Sequence, residues 1–192
     1  MKTFFPTIPY VQYEGRDNVN PMAFRYYNPD EIIAGKPMRE HLKFAMAYWH
    51  NMCAEGSDMF GVGTVDKSYG AADPMEQARN KAYAAFEFMD KLSIDYFCFH
   101  DRDIAPEGAT LAESNARLDE ITDLMKELMA KRSASQPLEL PSAGSTFKRP
   151  KTGYAAALIQ EAGLKGLRVV GAAVSEKHCR FVINKEINHC KK

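Results

Sequence analysis

The chain has 192 residues, of which 45% are hydrophobic and 26% charged, and its mean hydropathy is −0.39. That is the composition of a globular protein with enough apolar side chains for a core. A formal net charge of zero excludes a strongly basic nucleic-acid binder, and no apolar run approaches the roughly 20 residues of a membrane span.

Charge is unevenly spread. Residues 1–132 carry 15 basic and 21 acidic groups, whereas residues 133–192 carry 10 and 4. The shift predicts two segments of different origin rather than a nucleic-acid tail, because the basic part keeps a rhythm of helix and strand. The four cysteines, Cys53, Cys98, Cys179 and Cys190, form no CxxC pair. Met1-Lys2 is followed by only a few apolar residues before Pro6 and Pro9, so no signal peptide is read and a reduced, cytoplasmic protein is expected.

Residues 1–36 are rich in Tyr, Pro and Asn and read as an irregular arm. Met38–Leu42 suits a short helical turn. The apolar run Phe44–Trp49 suits a buried strand, though a helix fits nearly as well. A Gly-rich loop follows from Gly56 to Gly70. Asp73-Pro74-Met75-Glu76 then announces a helix, with a capping Asp, Pro at the first helical position and Glu at the capping-box position. Ala78, Ala82, Ala85, Phe86 and Met89 give it one apolar face. Tyr96–Phe99 reads as a strand with Cys98 as a core thiol. Thr110-Leu111-Ala112-Glu113 opens a second capped helix, whose face carries Leu111, Leu118, Ile121, Leu124 and Leu128.

Strand, helix, strand, helix is the βα repeat of a parallel sheet. After Arg132 the pattern becomes α+β: a linker at Ser133–Pro137, a helix at Gly153–Ala162 and strands at Arg168–Val174 and Arg180–Asn184.

The stretch Phe97-Cys98-Phe99-His100-Asp101-Arg102-Asp103 concentrates the chemistry. Its apolar strand ends in a histidine and two acids, and strand ends of a parallel barrel share one face. His100 and Asp103 could therefore converge there with Trp49, whose ring suits the carbon face of a sugar. A histidine beside a carboxylate suits proton transfer near neutral pH. A structural role stands beside this one, with His100 bonding backbone carbonyls and the acids capping the helix that follows.

Asn20–Glu31, Met38–Leu42, Ala47–His50 and Phe97–Gly108, with Tyr13-Glu14-Gly15, resemble the start of a long-type xylose isomerase, over roughly residues 4–130. The resemblance implies an α/β fold, here about two βα units of a (β/α)8 barrel, and a tetrameric family that interconverts D-xylose and D-xylulose. It implies that His100 assists sugar-ring opening, that Asp103 orients it and that Trp49 walls the sugar. Phe60 in Asp58-Met59-Phe60-Gly61 would reach a neighbouring subunit's site. The family's Mg2+ or Mn2+ ions are held by later strands, so no metal ligands are expected here and isomerisation by this chain alone is not expected.

Gln136–Pro150, Ala162–Gly166 and Val174–Cys179 resemble a second family, over roughly residues 126–184: the C-terminal substrate domain of UDP-N-acetylenolpyruvoylglucosamine reductase. That resemblance implies that Ser145 donates a proton and that Lys148 and Arg149 contact substrate. Its FAD-binding half has no match here. Val170 and Arg180 stand where that family usually has glycine. His178-Cys179 and His189-Cys190 fit no standard zinc spacing.

The expected domains are therefore 1–132, barrel-like, and 133–192, reductase-like. The expected partners are a sugar, and other chains through homo-oligomer contacts or open sheet edges. Neither nucleic acid nor membrane is expected. The alternatives are a uridine-nucleotide-sugar-binding remnant and a chimera without a function of its own.

Overall fold

A computed structural model describes residues 2–135, 142–145 and 154–185. The chain divides into two compact units, Met1–Leu128 and Met129–Lys192. No helix among the described residues is long and apolar enough to cross a membrane.

In the first unit a short hairpin, β1 (Ile32–Ile33) and β2 (Lys36–Pro37), leads into the turn α1 (Met38–His41). Strand β3 (Ala45–Ala47) is followed by a π-helical turn, Trp49–Cys53, in which the Ala54 N–H donates to the Trp49 carbonyl at 2.8 Å. The apolar run read as strand or helix is thus a strand passing directly into a helical turn. Such π turns recur at functional sites.

Helix α2 (Pro74–Leu92) starts as its sequence dictates. The Asp73 carboxylate accepts from the Glu76 N–H at 2.8 Å, with Pro74 at the first position. All five residues of the expected apolar face are buried. The alanines let the helix lie close to its neighbours, while Phe86 meets the Phe97 ring edge-on at 5.8 Å. Residues before the hairpin strap onto α2: the Glu87 carboxylate accepts from the Phe4 N–H at 2.7 Å, and the Val11 N–H donates to the Lys91 carbonyl at 2.7 Å.

Strand β4 (Tyr96–Cys98) returns beside β3 and parallel to it, so α2 is the crossover that parallel pairing requires. The register is Ala45↔Tyr96, Met46↔Phe97 and Ala47↔Cys98. A single turn, α3 (Asp101–Ile104), precedes the long helix α4 (Leu111–Ser135). The α/β character is clear, although the described strands form two-stranded and four-stranded sheets rather than a closed barrel.

Three expectations change. Cys98 is exposed rather than a core thiol, since no strand among the described residues pairs with the outer edge of β4. Leu111 is 78% exposed and drops out of the expected face of α4, whereas Ile121 and Leu128 of that face are buried, joined by Met125 at the i+4 position from Ile121. Helix α4 also continues into the expected linker through Ser135, because Ser-Ala-Ser contains no breaker before Pro137.

In the second unit, β5 (Ser142–Ser145), α5 (Ala155–Glu161), β6 (Arg168–Val169), β7 (Ala172–Val174) and β8 (Phe181–Asn184) form one helix and an antiparallel sheet of order β5-β8-β7-β6. Gly163, at φ +69°, follows α5. The single strand expected over 168–174 is a hairpin, with Val170 at φ +53° in its turn. A β-branched residue is strained there, so the departure from glycine at Val170 falls at a position where glycine would be relaxed. The buried Ser175 hydroxyl accepts from the N–H groups of Lys177 and His178 at 3.2 and 3.3 Å. His178 Nδ1 accepts from the Arg180 N–H at 3.3 Å, so this histidine closes a turn. His189 and Cys190 lie outside the described residues.

Two outcomes follow from buried polar groups. The Tyr48 side chain is fully buried and its hydroxyl finds no hydrogen-bond partner among the described residues. Because an unsatisfied buried group costs about 1–3 kcal/mol, Tyr48→Phe should raise stability by about 1 kcal/mol in urea unfolding. A loss of stability would show that the hydroxyl is bonded. Burial, with Arg180 nearby, holds the His178 imidazole below its ordinary 6.5. The unfolded chain therefore binds the proton that the folded chain resists, and stability should fall as pH drops below about 6.5. Comparing urea midpoints of the parent and His178→Gln across pH 5 to 8 checks this, since the variant should lose that part of the slope.

Candidate functional site

The ladder between β3 and β4 determines what meets at its end. Ala47 lies opposite Cys98, so Trp49 and His100, each two residues on, arrive side by side. Their ring centroids are 4.7 Å apart at 43°. The His50 ring also lies 5.4 Å from Trp49. This corner brings together three of the predicted residues: Trp49, His100 and Asp103.

His100 and Asp103 are bound twice. The Asp103 Oδ2 accepts from the His100 backbone N–H at 2.7 Å and pairs with His100 Nδ1 at 2.9 Å. The Asp103 N–H in turn meets the His100 carbonyl at 3.0 Å. Asp103 therefore caps α3 and pairs with the imidazole at once, and His100 Nδ1 meets this carboxylate rather than a backbone carbonyl. An ionised carboxylate only accepts, so in the neutral imidazole this pairing places the proton on Nδ1 and leaves the lone pair on Nε2. The His100 side chain is 68% exposed and the Asp103 side chain 14%. The imidazole is thus largely open to solvent beside an indole, while the carboxylate paired with it is sheltered.

Behind the pair lies a polar cluster that the sequence reading did not include. Lys81 Nζ donates to the Asp103 carbonyl at 2.8 Å and to Cys53 Sγ at 3.5 Å, and the Cys53 thiol reaches the same carbonyl at 3.4 Å. Burial pushes the Cys53 thiol up, against the nearby Lys81 ammonium. The Tyr69 hydroxyl donates to the Met52 carbonyl at 2.6 Å, and burial raises its phenol. A signal for Lys81 existed: it stands three residues after Ala78 and four before Ala85, on the face of α2 otherwise filled by small apolar residues.

Phe60 is 90% exposed at the tip of a turn closed by the Asp58↔Gly61 bridge. It shares no ring contact with Trp49 or His100. Ser145 is in β5, opposite Phe181 on β8. Lys148 and Arg149 lie outside the described residues. A shallow groove of about 500 Å³ along Glu55, Gly63–Ser68 and Gln77 contains none of the predicted residues.

Among the described residues, no group of three or more His, Cys, Asp or Glu side chains is placed to hold a metal ion. Hard divalent cations need clustered oxygen ligands, so this donor set does not fit the metals of the isomerase resemblance. No described residue is assigned to the flavin of the second resemblance.

Comparison with known proteins gives two kinds of match. The chain is 45% identical over 173 residues to a xylose isomerase of Thermotoga neapolitana, covering 84% of this chain and 39% of that protein. It is 44% identical over the same length to the Thermotoga maritima xylose isomerase. For Caldicellulosiruptor bescii the identity is 48% over 155 residues, covering 80% of this chain and 35% of the isomerase. These similarities are longer than the stretch 4–130, which makes up two thirds of the chain. Residues 136–192 match the family described as UDP-N-acetylenolpyruvoylglucosamine reductase, C-terminal domain. A solved reductase of that name from Thermus caldophilus is 38% identical, covering 38% of this chain and 27% of its own, with a TM-score of 0.31. The chain thus resembles two different enzymes, and it spans 39% of the length of the Thermotoga isomerases it matches.

Proposed function

We propose that residues 1–132 are the opening segment of a xylose-isomerase-like barrel, and that Trp49, His100 and Asp103 form its sugar-ring-opening corner. The observation that carries this reading is the directed imidazole: Nδ1 is tied to Asp103 at 2.9 Å while the exposed ring leans on Trp49 at 4.7 Å. The 45% identity to xylose isomerases supports a pentose as its substrate.

In this reading the indole takes the apolar carbon face of the cyclic sugar. His100 Nε2 accepts the proton of the anomeric hydroxyl. As the C1–O5 bond breaks, the ring oxygen takes a proton from water and the open-chain aldehyde forms. Asp103 holds the tautomer and stabilises the imidazolium until the proton returns to solvent. The C1–C2 hydride shift requires both oxygens to be polarised. The described residues are not assigned that step, and the chain alone is proposed not to complete isomerisation. Phe60, on its exposed tip, is proposed to reach a neighbouring subunit.

A second reading concerns residues 133–192 and is favoured by the family match at 136–192. There Ser145 would act as a proton donor, and Lys148 and Arg149 would meet a diphosphate or carboxylate. Stabilisation by UDP-N-acetylglucosamine in thermal unfolding would support it.

Polarimetry of freshly dissolved α-D-xylose tests the first reading. The parent chain should speed mutarotation, and His100→Asn should lower that catalysis by about 10²-fold, the scale of general acid–base catalysis. Xylulose should not form with Mg2+ or Mn2+ present. Mutarotation at the buffer rate, or full activity in His100→Asn, would contradict the ring-opening role. Metal-dependent xylulose formation would contradict the exclusion of the hydride step.

A further inference from the structure

We infer that Lys81 is a positioning residue for the His100–Asp103 pair: it clamps the backbone of Asp103 from helix α2 and so holds the imidazole in its Nδ1-protonated form. The inference rests on the ring-opening reading for its functional meaning, though its physical content does not depend on it.

The geometry is a chain of short contacts across three elements. Lys81 belongs to α2, an element anchored by the buried face Ala78, Ala82, Ala85, Phe86 and Met89. Its ammonium donates to the Asp103 carbonyl at 2.8 Å. Asp103 sits in α3, a turn of only four residues, too short to hold its own shape. The Asp103 carboxylate then takes both the backbone N–H and Nδ1 of His100. The same carbonyl also receives the Cys53 thiol at 3.4 Å, and Cys53 ends the helical turn that Trp49 begins. One carbonyl oxygen therefore ties together the helix, the sugar wall and the orienting acid. A charged donor is worth roughly twice a neutral one, which suits a frayed single turn. Half-burying the ion beside an apolar helix face is costly, and among the described residues no acidic side chain pairs with it. The Asp103 carbonyl and the Cys53 sulfur compensate it instead.

Without the clamp, Asp103 should pivot with its turn, and the imidazole should lose its tautomer preference. The direct readout is the pair of 15N chemical shifts of His100 Nδ1 and Nε2 in the full chain without sugar. In the parent at pH 8, Nε2 should show the unprotonated shift. Lys81→Met and Lys81→Leu keep a stem but remove the donor. Either variant that retains the parental urea midpoint should show averaged shifts and about tenfold slower xylose mutarotation, the scale of a misplaced catalytic group. Lys81→Arg, which keeps a cationic donor, should restore the parental shifts.

Parental 15N shifts in a folded variant lacking the donor would overturn the inference. Loss of cooperative unfolding in both donor-less variants would overturn it as well, by making Lys81 a residue of the fold rather than of the site. Failure of the ring-opening reading is distinguishable: His100→Asn would then mutarotate xylose as fast as the parent, whatever the Lys81 variants do to the imidazole shifts.

Discussion

Parallel pairing of Ala45–Ala47 with Tyr96–Cys98 is the constraint on which the candidate site depends. In a parallel ladder both strands run out in the same direction, so the residues beyond Ala47 and Cys98 emerge together. That is why Trp49 and His100, 51 positions apart in the sequence, meet with their rings tilted and 4.7 Å apart. Antiparallel pairing would have sent them to opposite ends. A register slip of one residue would have turned one of the two rings to the other face of the sheet. The crossover helix α2 makes the parallel arrangement possible, and its alanine face lets it lie close to the pair.

The same helix carries the polar support. Its buried face is interrupted by Lys81, whose ammonium meets the Asp103 carbonyl and the Cys53 sulfur rather than a carboxylate. Nearby are the hydroxyls of buried Tyr48 and half-buried Tyr69; that of Tyr69 is bonded, whereas that of Tyr48 has no partner among the described residues. Such a cluster costs stability relative to an apolar core, and cores keep these groups most readily where they hold a site in shape. Asp103 is therefore sheltered and fastened at its backbone while the His100 ring paired with it stays largely open to solvent.

Local sequence rules revealed a large part of this. The Asp73 cap, Pro74 and the spacing of Ala78, Ala82, Ala85, Phe86 and Met89 specify α2, because capping and 3.6-residue periodicity act within a few turns. The strand-end histidine with an acid three residues later pointed to the pair that the structure forms. The misreadings have nonlocal causes. Cys98 read as buried because a strand of apolar residues is usually covered on both sides, and here β4 has a single described neighbour. Val170 sits in a hairpin turn because β6 and β7 pair back on each other, which an apolar run cannot announce. Lys81 escaped notice because its importance depends on a carbonyl 22 positions away. The sugar and the hydride chemistry rest on resemblance rather than on spacing.

The β3–β4 sheet leaves an edge unpaired among the described residues, with Tyr96 and Phe99 49% and 41% exposed. Two-stranded parallel sheets are rarely stable alone, so the placement of Trp49 against His100 is the claim most in need of a direct test. The measurement is a nuclear Overhauser spectrum of the full chain, read for cross-peaks between the indole protons of Trp49 and the ring protons of His100. Ring contact at 4.7 Å predicts such cross-peaks, together with those between the Met46 and Phe97 side chains that share the ladder. Cross-peaks for Met46 and Phe97 without any between Trp49 and His100 would contradict the shared corner. The absence of both would contradict the parallel pairing itself.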